Sequence, residues 1–183
     1  THDQQEALAM SDEIVVMSQG LVQQIGDPKT VYRFPQNRFV AGFLGQANVL
    51  DCVVREPLGD GSGRWRLQLD NGTSLMGVPG GPGSRMEPKA GEKSDLVIRG
   101  SDVAVRPTGT STGEGLNGFE GVIIDSSYLG DDVHYLIECA GIKFKAVSRI
   151  THVEAGQAGA VLAAGVPVVV SVPPEACAIL PAD

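Results

Sequence analysis

Arg64-Trp65-Arg66-Leu67-Gln68-Leu69 sets apolar Trp65, Leu67 and Leu69 against polar Arg64, Arg66 and Gln68. Successive side chains of a strand point to opposite faces, so this alternation predicts a half-buried β-strand. Asp70-Asn71-Gly72 follows, with residue types that tolerate the positive φ of a tight hairpin turn, and residues 73–78 run back as its partner. The same pattern extends to both sides. Upstream, residues 48–55 read as a strand through Val49, Leu50, Val53 and Val54, ending at the glycine-rich turn 59–63. Downstream, residues 95–99 and 103–106 read as strands closed by Pro107, and 119–128 as another. Residues 133–139 alternate Val133, Tyr135 and Ile137 with His134, Leu136 and Glu138; Ala140-Gly141 turns, 142–148 pair back, and 167–172 form a final apolar strand.

From Ala47 onward the chain therefore reads as all-β. Residues 79–92 are a loop; their glycines suggest a phosphate cradle only superficially, because no strand–loop–helix context surrounds them. Residues 108–118 are rich in Gly, Ser and Thr and read as a linker. A weak internal echo relates residues 96–107 to 170–181. Each is an apolar strand end, a small turn with an acid, an apolar pair and a proline, as two similar lobes would produce.

The first 47 residues differ. Thr1-His2-Asp3-Gln4-Gln5-Glu6-Ala7-Leu8-Ala9-Met10 runs from a polar triplet into helix formers, a helix of about two turns ending near Ser11-Asp12. Strands at 13–18 and 21–25 flank Gln19-Gly20, and Asp27-Pro28 marks an N-cap and first helical position. Residues 37–45 offer another short helix, with Phe39, Val40, Phe43 and Leu44 predicted on one side.

Composition narrows the possibilities. Hydrophobic residues make up 42% and charged residues 20% of the 183, ordinary for a soluble globular protein with ample core. The net charge of −8, without a Lys/Arg cluster, argues against nucleic-acid binding and adhesion to anionic lipid. No apolar run approaches the ~20 residues of a membrane-spanning helix, and the start is not a signal peptide. Cys52, Cys139 and Cys177 are odd in number and widely spaced, predicting buried reduced thiols; no Cys/His spacing suggests a metal site.

The order of motifs resembles a known family: the ATP-binding subunits of ABC transporters, in the importer group with a C-terminal TOBE regulatory domain. The matching motifs are Thr1-His2-Asp3-Gln4-Gln5-Glu6-Ala7, Ser11-Asp12-Glu13-Ile14-Val15-Val16-Met17, Gln24-Ile25-Gly26-Asp27-Pro28 and Phe39-Val40-Ala41-Gly42-Phe43-Leu44-Gly45. Glu13 departs from the family's usual arginine at a surface position. In the β half, the matches are Gly91-Glu92 leading into Leu96-Val97-Ile98-Arg99, Gly121-Val122-Ile123 leading to Tyr128-Leu129-Gly130, Tyr135-Leu136-Ile137, and residues 168–181. Gly100-Ser101-Asp102 stands where the family commonly has Pro-Glu.

The resemblance implies a mainly β fold: an OB-like TOBE barrel, expected in two lobes, after a short α/β remnant of the nucleotide-binding domain. The expected division is 1–47 for that remnant and 48–183 for the TOBE domain. Beginning at Thr1 inside a motif, the chain is expected to be a fragment of a longer protein. His2 corresponds to the family's switch histidine, which lies beside the γ-phosphate of ATP; an imidazole there donates a hydrogen bond as charge builds in the transition state. Phosphoryl transfer also needs a phosphate-cradling loop with its lysine and a held magnesium ion. The chain contains neither a GxxxxGK motif nor an LSGGQ-type signature. The resemblance thus implies ATP, Mg2+ and a catalytic His2 only in an intact parent, with no cofactor and no activity expected of the fragment.

The implied role is regulatory and dimerising, within a subunit that couples ATP hydrolysis to solute uptake. Its implied partners are a twin ATPase subunit, transmembrane permease subunits and a cytoplasmic small-molecule regulator, at the inner face of the cell membrane. Ligand contacts are expected in loops such as 59–63 and 79–92. Read from residues alone, the competing function is a stand-alone β-barrel module binding a small anion or sugar, which would not need residues 1–45. An enzyme using Asp131 and Asp132 is disfavoured, because adjacent acids on a turn point apart.

Overall fold

The computed structural model describes residues 3–80, 86–110, 113–149 and 161–182. The chain forms two compact units, residues 1–98 with 175–183 and residues 99–174.

The first unit begins with helix α1 (Gln4–Met10), whose N-cap Asp3 accepts hydrogen bonds from the backbone N–H groups of Gln5 and Glu6. Strands β1 (Ile14–Ser18) and β2 (Leu21–Gly26) form an antiparallel ribbon. Its turn, Gln19-Gly20, has positive φ at both residues, the geometry that matches the twist of a hairpin. Helix α2 (Pro28–Arg33) carries Pro28 in its first turn, and Asp27 caps it. The Thr30 hydroxyl and amide hold the Asp27 carboxyl below its usual range by hydrogen bonding to its charged form. Helix α3 (Arg38–Phe43) is capped by Asn37, which accepts from the Val40 N–H at 2.9 Å.

Ile14, Val16, Val31, Val40 and Leu44 pack into one cluster under the ribbon. The other face of that ribbon presents Val15, Met17, Val22 and Ile25 outward, exposed and apolar. The sequence expectation for α3 is corrected in one respect. Val40, Ala41 and Leu44 are buried, whereas Phe39 and Phe43 are exposed and stack on each other with ring centroids 5.7 Å apart. A six-residue helix carries two i, i+4 stripes side by side, Phe39/Phe43 and Val40/Leu44, and only packing decides which turns inward.

The rest of this unit is a closed five-stranded barrel in the order β12-β5-β4-β3-β6. Its strands are β3 (Ala47–Pro57), β4 (Trp65–Leu69), β5 (Ser74–Pro79), β6 (Lys93–Arg99) and β12 (Cys177–Pro181). Period-two alternation sends Val54, Leu67, Leu75, Leu96, Ile98 and Ile179 inward, all nearly inaccessible. Each such side chain contributes roughly 1.5–3 kcal/mol of burial. Gly77 is required by crowding: a Cβ there would sit 2.8 Å from the Cys177 carbonyl oxygen.

Two expectations change here. Strand β6 begins at Lys93, directly after the loop read at 79–92 and two residues before the strand read at 95–99. Residues 167–172 are not the last strand, because β12 follows and closes the barrel, parallel to β5 and antiparallel to β6.

The second unit is an antiparallel sheet in the order β10-β9-β8-β11-β7. Its strands are β7 (Ala104–Pro107), β8 (Asn117–Leu129), β9 (Asp132–Cys139), β10 (Ile142–Arg149) and β11 (Pro167–Val172). Strand β8 takes Asn117 and Gly118 out of the expected linker, and Asn117 is buried. Ile123, Val133, Ile137, Phe144, Val168 and Val170 supply its core. At Gly121 the strands approach so closely that a Cβ would lie 2.5 Å from the Cys139 sulfur. The echo of residues 96–107 and 170–181 has a counterpart in three dimensions. Strand β6 continues through a 3-10 turn (Gly100–Asp102) into β7, and β11 through another (Pro174–Ala176) into β12. These two stretches are where the chain leaves the barrel and returns to it.

Candidate functional site

The polar constellation that the fold assembles lies where α3 meets the barrel. Ala41 of α3 is buried against Val97 of β6 and Leu180 of β12, which seats the helix on the barrel wall. This places the Arg38 guanidinium, at the start of the helix, beside two carboxylates. Arg38 Nη1 lies 2.6 Å from Asp51 Oδ1 on β3 and 2.7 Å from Asp95 Oδ1 on β6. The environments differ: Asp51 is exposed, while the Asp95 side chain is only 2% exposed. Asp95 shares the face of Val97, one strand repeat away, so a position that would otherwise be apolar carries a charge.

A cleft of about 350 Å3 opens beside this pair; Arg38, Asp51, Asp95, Asp70, Lys93 and Ser94 are among its lining residues. Asp70 comes from the turn after β4 and Lys93 from the start of β6, and both are exposed. Ser94 is buried, and its hydroxyl has no hydrogen-bond partner in the structure. The Cys52 thiol, also on the cleft, donates to the Ser94 carbonyl oxygen at 3.2 Å.

Burial first, then the charges of Asp95, Asp51 and Asp70, push the Cys52 thiol from 9.0 up to about 12. Burial and Glu138 push Cys139 up to about 11. Both thiols stay protonated at neutral pH, so neither serves as a nucleophile. Cys52, Cys139 and Cys177 are all buried, and none of them forms a disulfide.

The linkage has a defined sign. An unfolded chain ionises Cys52 near 9.0 and the folded one only near 12, so this contribution to stability is whole below pH 9.0 and is lost as pH rises through that window. Urea unfolding at about pH 8 and about pH 11 should show the wild type losing more stability than Cys52→Ala. Parallel losses would mean the thiol ionises as freely in the fold as outside it.

Of the residues singled out from sequence, His2 lies outside the described residues, which begin at Asp3. Asp131 is exposed at its turn, and Asp132 pairs loosely with Arg149 at 3.8 Å. Loop 59–63 does not line the cleft, and residues 81–85 of loop 79–92 lie outside the described residues. Arg38, Asp51 and Asp95 escaped sequence reading, since they come from three elements with Arg38 and Asp95 57 positions apart. The one local signal was Ser94-Asp95, a polar pair opening the apolar run Leu96-Val97-Ile98. Among the described residues no three His, Cys, Asp or Glu side chains converge as a metal site. Nor is any described helix long and apolar enough to cross a membrane.

Residues 96–180, which run from β6 of the barrel through the second unit and back into β12, match the TOBE domain family. The chain's sequence relatives are more particular, being the ATP-binding subunits of ABC importers. It is 35% identical over 142 residues to the Fe(3+) ions import ATP-binding protein FbpC of Brucella suis, covering 75% of this chain and 34% of that protein. It is 40% identical over 139 residues to the spermidine/putrescine import ATP-binding protein PotA of Rubrobacter xylanophilus, covering 75% of this chain and 33% of that one. The chain thus spans about a third of the length of these relatives. In structure it is similar to the cytoplasmic molybdate-binding protein ModG with molybdate bound. The TM-score is 0.59 at 16% identity, over 73% of this chain and 95% of ModG, a likeness that shows the OB-like fold.

Proposed function

We propose that this chain is the C-terminal portion of the ATPase subunit of an ABC importer, with residues 1–47 ending the nucleotide-binding domain and residues 48–183 forming the TOBE regulatory domain. The observation that carries this reading is the 35% to 40% identity to importer ATP-binding subunits over three quarters of the chain. The outward face of the β1–β2 ribbon supports it. Val15, Met17, Val22 and Ile25 form an exposed apolar patch of the kind that marks a contact surface, here for the body of a nucleotide-binding domain.

In this reading ATP and Mg2+ bind the intact subunit, and His2 orients the γ-phosphate or the attacking water. The subunit pairs with its twin and with membrane permease subunits at the inner face of the membrane. The TOBE domain biases the ATPase cycle through that dimer and through a small-molecule regulator, which works only if the regulator prefers one dimer state. The second reading, a stand-alone module for a small anion or sugar, rests on the fold shared with ModG.

Two measurements test the importer reading. In the longer subunit, His2→Ala should lower ATP turnover by about 100-fold or more, the usual cost of losing one donor to developing charge, with ATP binding retained. Undiminished turnover removes His2 from the chemistry. Recovery of the native protein from its cells as a 19.1 kDa species would overturn the importer reading.

A further inference from the structure

We propose that Asn71, in the turn of the β4–β5 hairpin, is a site of spontaneous modification, where attack by the adjoining backbone nitrogen converts the asparagine to isoaspartate and aspartate. The inference stands apart from the importer reading, because it needs only the barrel as folded.

Two of the chain's four asparagines precede glycine, in Asn71-Gly72 and Asn117-Gly118. Such a pair favours cyclisation, since a following residue without a Cβ lets its backbone nitrogen approach the side-chain amide closely. By sequence the two sites are equivalent; the fold separates them. Asn71 and Gly72 are both exposed in their turn, and no atom lies within 4 Å of where a Gly72 Cβ would stand. Asn117 is 5% exposed within β8, opposite Val172 of β11, with Gly118 opposite Ser171.

The reaction needs only the chain and water. The Gly72 nitrogen loses its proton and bonds to Asn71 Cγ; the Cγ–Nδ2 bond breaks, and the amide nitrogen leaves as ammonia. Water then opens the five-membered imide. Opening at the Cγ carbonyl leaves the original backbone with an aspartate side chain, whereas opening at the Asn71 backbone carbonyl routes the chain through Cβ as isoaspartate. Nothing is oxidised or reduced.

Two hydrogen bonds at the turn act in opposite directions. The Thr73 N–H donates to Asn71 Oδ1 at 3.0 Å. That oxygen gains negative charge as Cγ becomes tetrahedral, so a donor already in place lowers the barrier. The Gly72 N–H donates to the Leu69 carbonyl oxygen at 2.9 Å and must leave it before its nitrogen attacks. Releasing a backbone bond at an exposed turn takes only local opening, which costs far less than global unfolding. For Asn117 the ladder of six residue pairs between β8 and β11 has to part.

The products alter the hairpin. Either one places a new carboxylate beside Asp70, and isoaspartate lengthens the backbone of the turn by one atom. Turn length sets hairpin register, which here pairs Gln68 with Ser74 and Leu67 with Leu75.

The test incubates the full 183-residue chain in mildly alkaline buffer, folded and in urea. Mass spectrometry then follows tryptic peptides 67–85 and 100–143, which carry one Asn-Gly pair each. In the folded chain Asn71 should convert roughly tenfold or more faster than Asn117, with isoaspartate among the products. In urea the two rates should be similar. The variant Asn71→Gln should leave peptide 67–85 unchanged, which excludes Gln68 as the source of the signal. Equal rates in the folded chain would overturn the proposal, as would a folded chain that converts at neither site. So would aspartate formed without isoaspartate, the mark of direct hydrolysis, or an Asn117 that lags equally in urea.

Discussion

Arg38→Ala should lower the unfolding free energy by about 1–3 kcal/mol, between the cost of losing an exposed ion-pair partner and that of losing a buried one. The reason is an asymmetry within the pair. The Arg38 side chain is 40% exposed and would be well hydrated alone, whereas Asp95 is 2% exposed and could not be. Removing the guanidinium therefore leaves a carboxylate facing the barrel wall without the cation 2.7 Å away. The companion substitution sets the scale. Asp51→Ala removes the other carboxylate on the same nitrogen, but Asp51 is largely solvated, so the loss should stay below about 1 kcal/mol.

A total stability of about 5–15 kcal/mol makes the Arg38 effect large enough to measure without extrapolation. Trp65, the single tryptophan, lies in β4 of the same barrel, so urea unfolding followed by its fluorescence reports the unit concerned. If Arg38→Ala and Asp51→Ala cost the same, the burial of Asp95 carries no energetic weight and the seating of α3 rests on Ala41 alone.

How far these features were visible beforehand differs by the range of the interaction. The β4–β5 hairpin was legible because its information is local: Trp65, Leu67 and Leu69 alternate, and Asp70-Asn71-Gly72 supplies a turn whose Gly72 takes a φ of 84°. The Asp27 cap with Pro28 was legible for the same reason. Strand β12 was not. Its five residues follow a 3-10 turn, and it becomes a strand by pairing with β6 and, in parallel, with β5 about a hundred residues earlier. No local pattern encodes that closure.

The internal echo held more information than its length suggested, because the two matching stretches are the two crossings between units. The cleft was illegible for a related reason. Asp51 and Asp95 look like ordinary polar positions in half-buried strands until α3 brings Arg38 onto both. The Phe39 and Phe43 misplacement belongs with these, since on a helix of under two turns hydrophobicity alone does not select a face.

Phe144→Ala should cost the second unit about 3–5 kcal/mol, the range for deleting a buried aromatic ring from a core. Phe144 is 1% exposed at the middle of β10, opposite Ile137 of β9, and its ring stacks on Phe119 of β8 with centroids 5.5 Å apart. The substitution therefore removes transfer free energy, leaves a cavity between three strands and breaks an aromatic pair worth about 0.5–1.5 kcal/mol beyond its buried area. Phe144→Leu fills much of that space and should cost about 1–2 kcal/mol, its loss being mainly the stack and a few contacts. Far-UV circular dichroism during urea unfolding measures the sheet, while Trp65 fluorescence follows the barrel in the same samples. A Phe144→Ala loss below about 1 kcal/mol would mean that the ring is not enclosed as described. An equal loss for the alanine and leucine variants would point instead to the stack with Phe119 as the whole of its contribution.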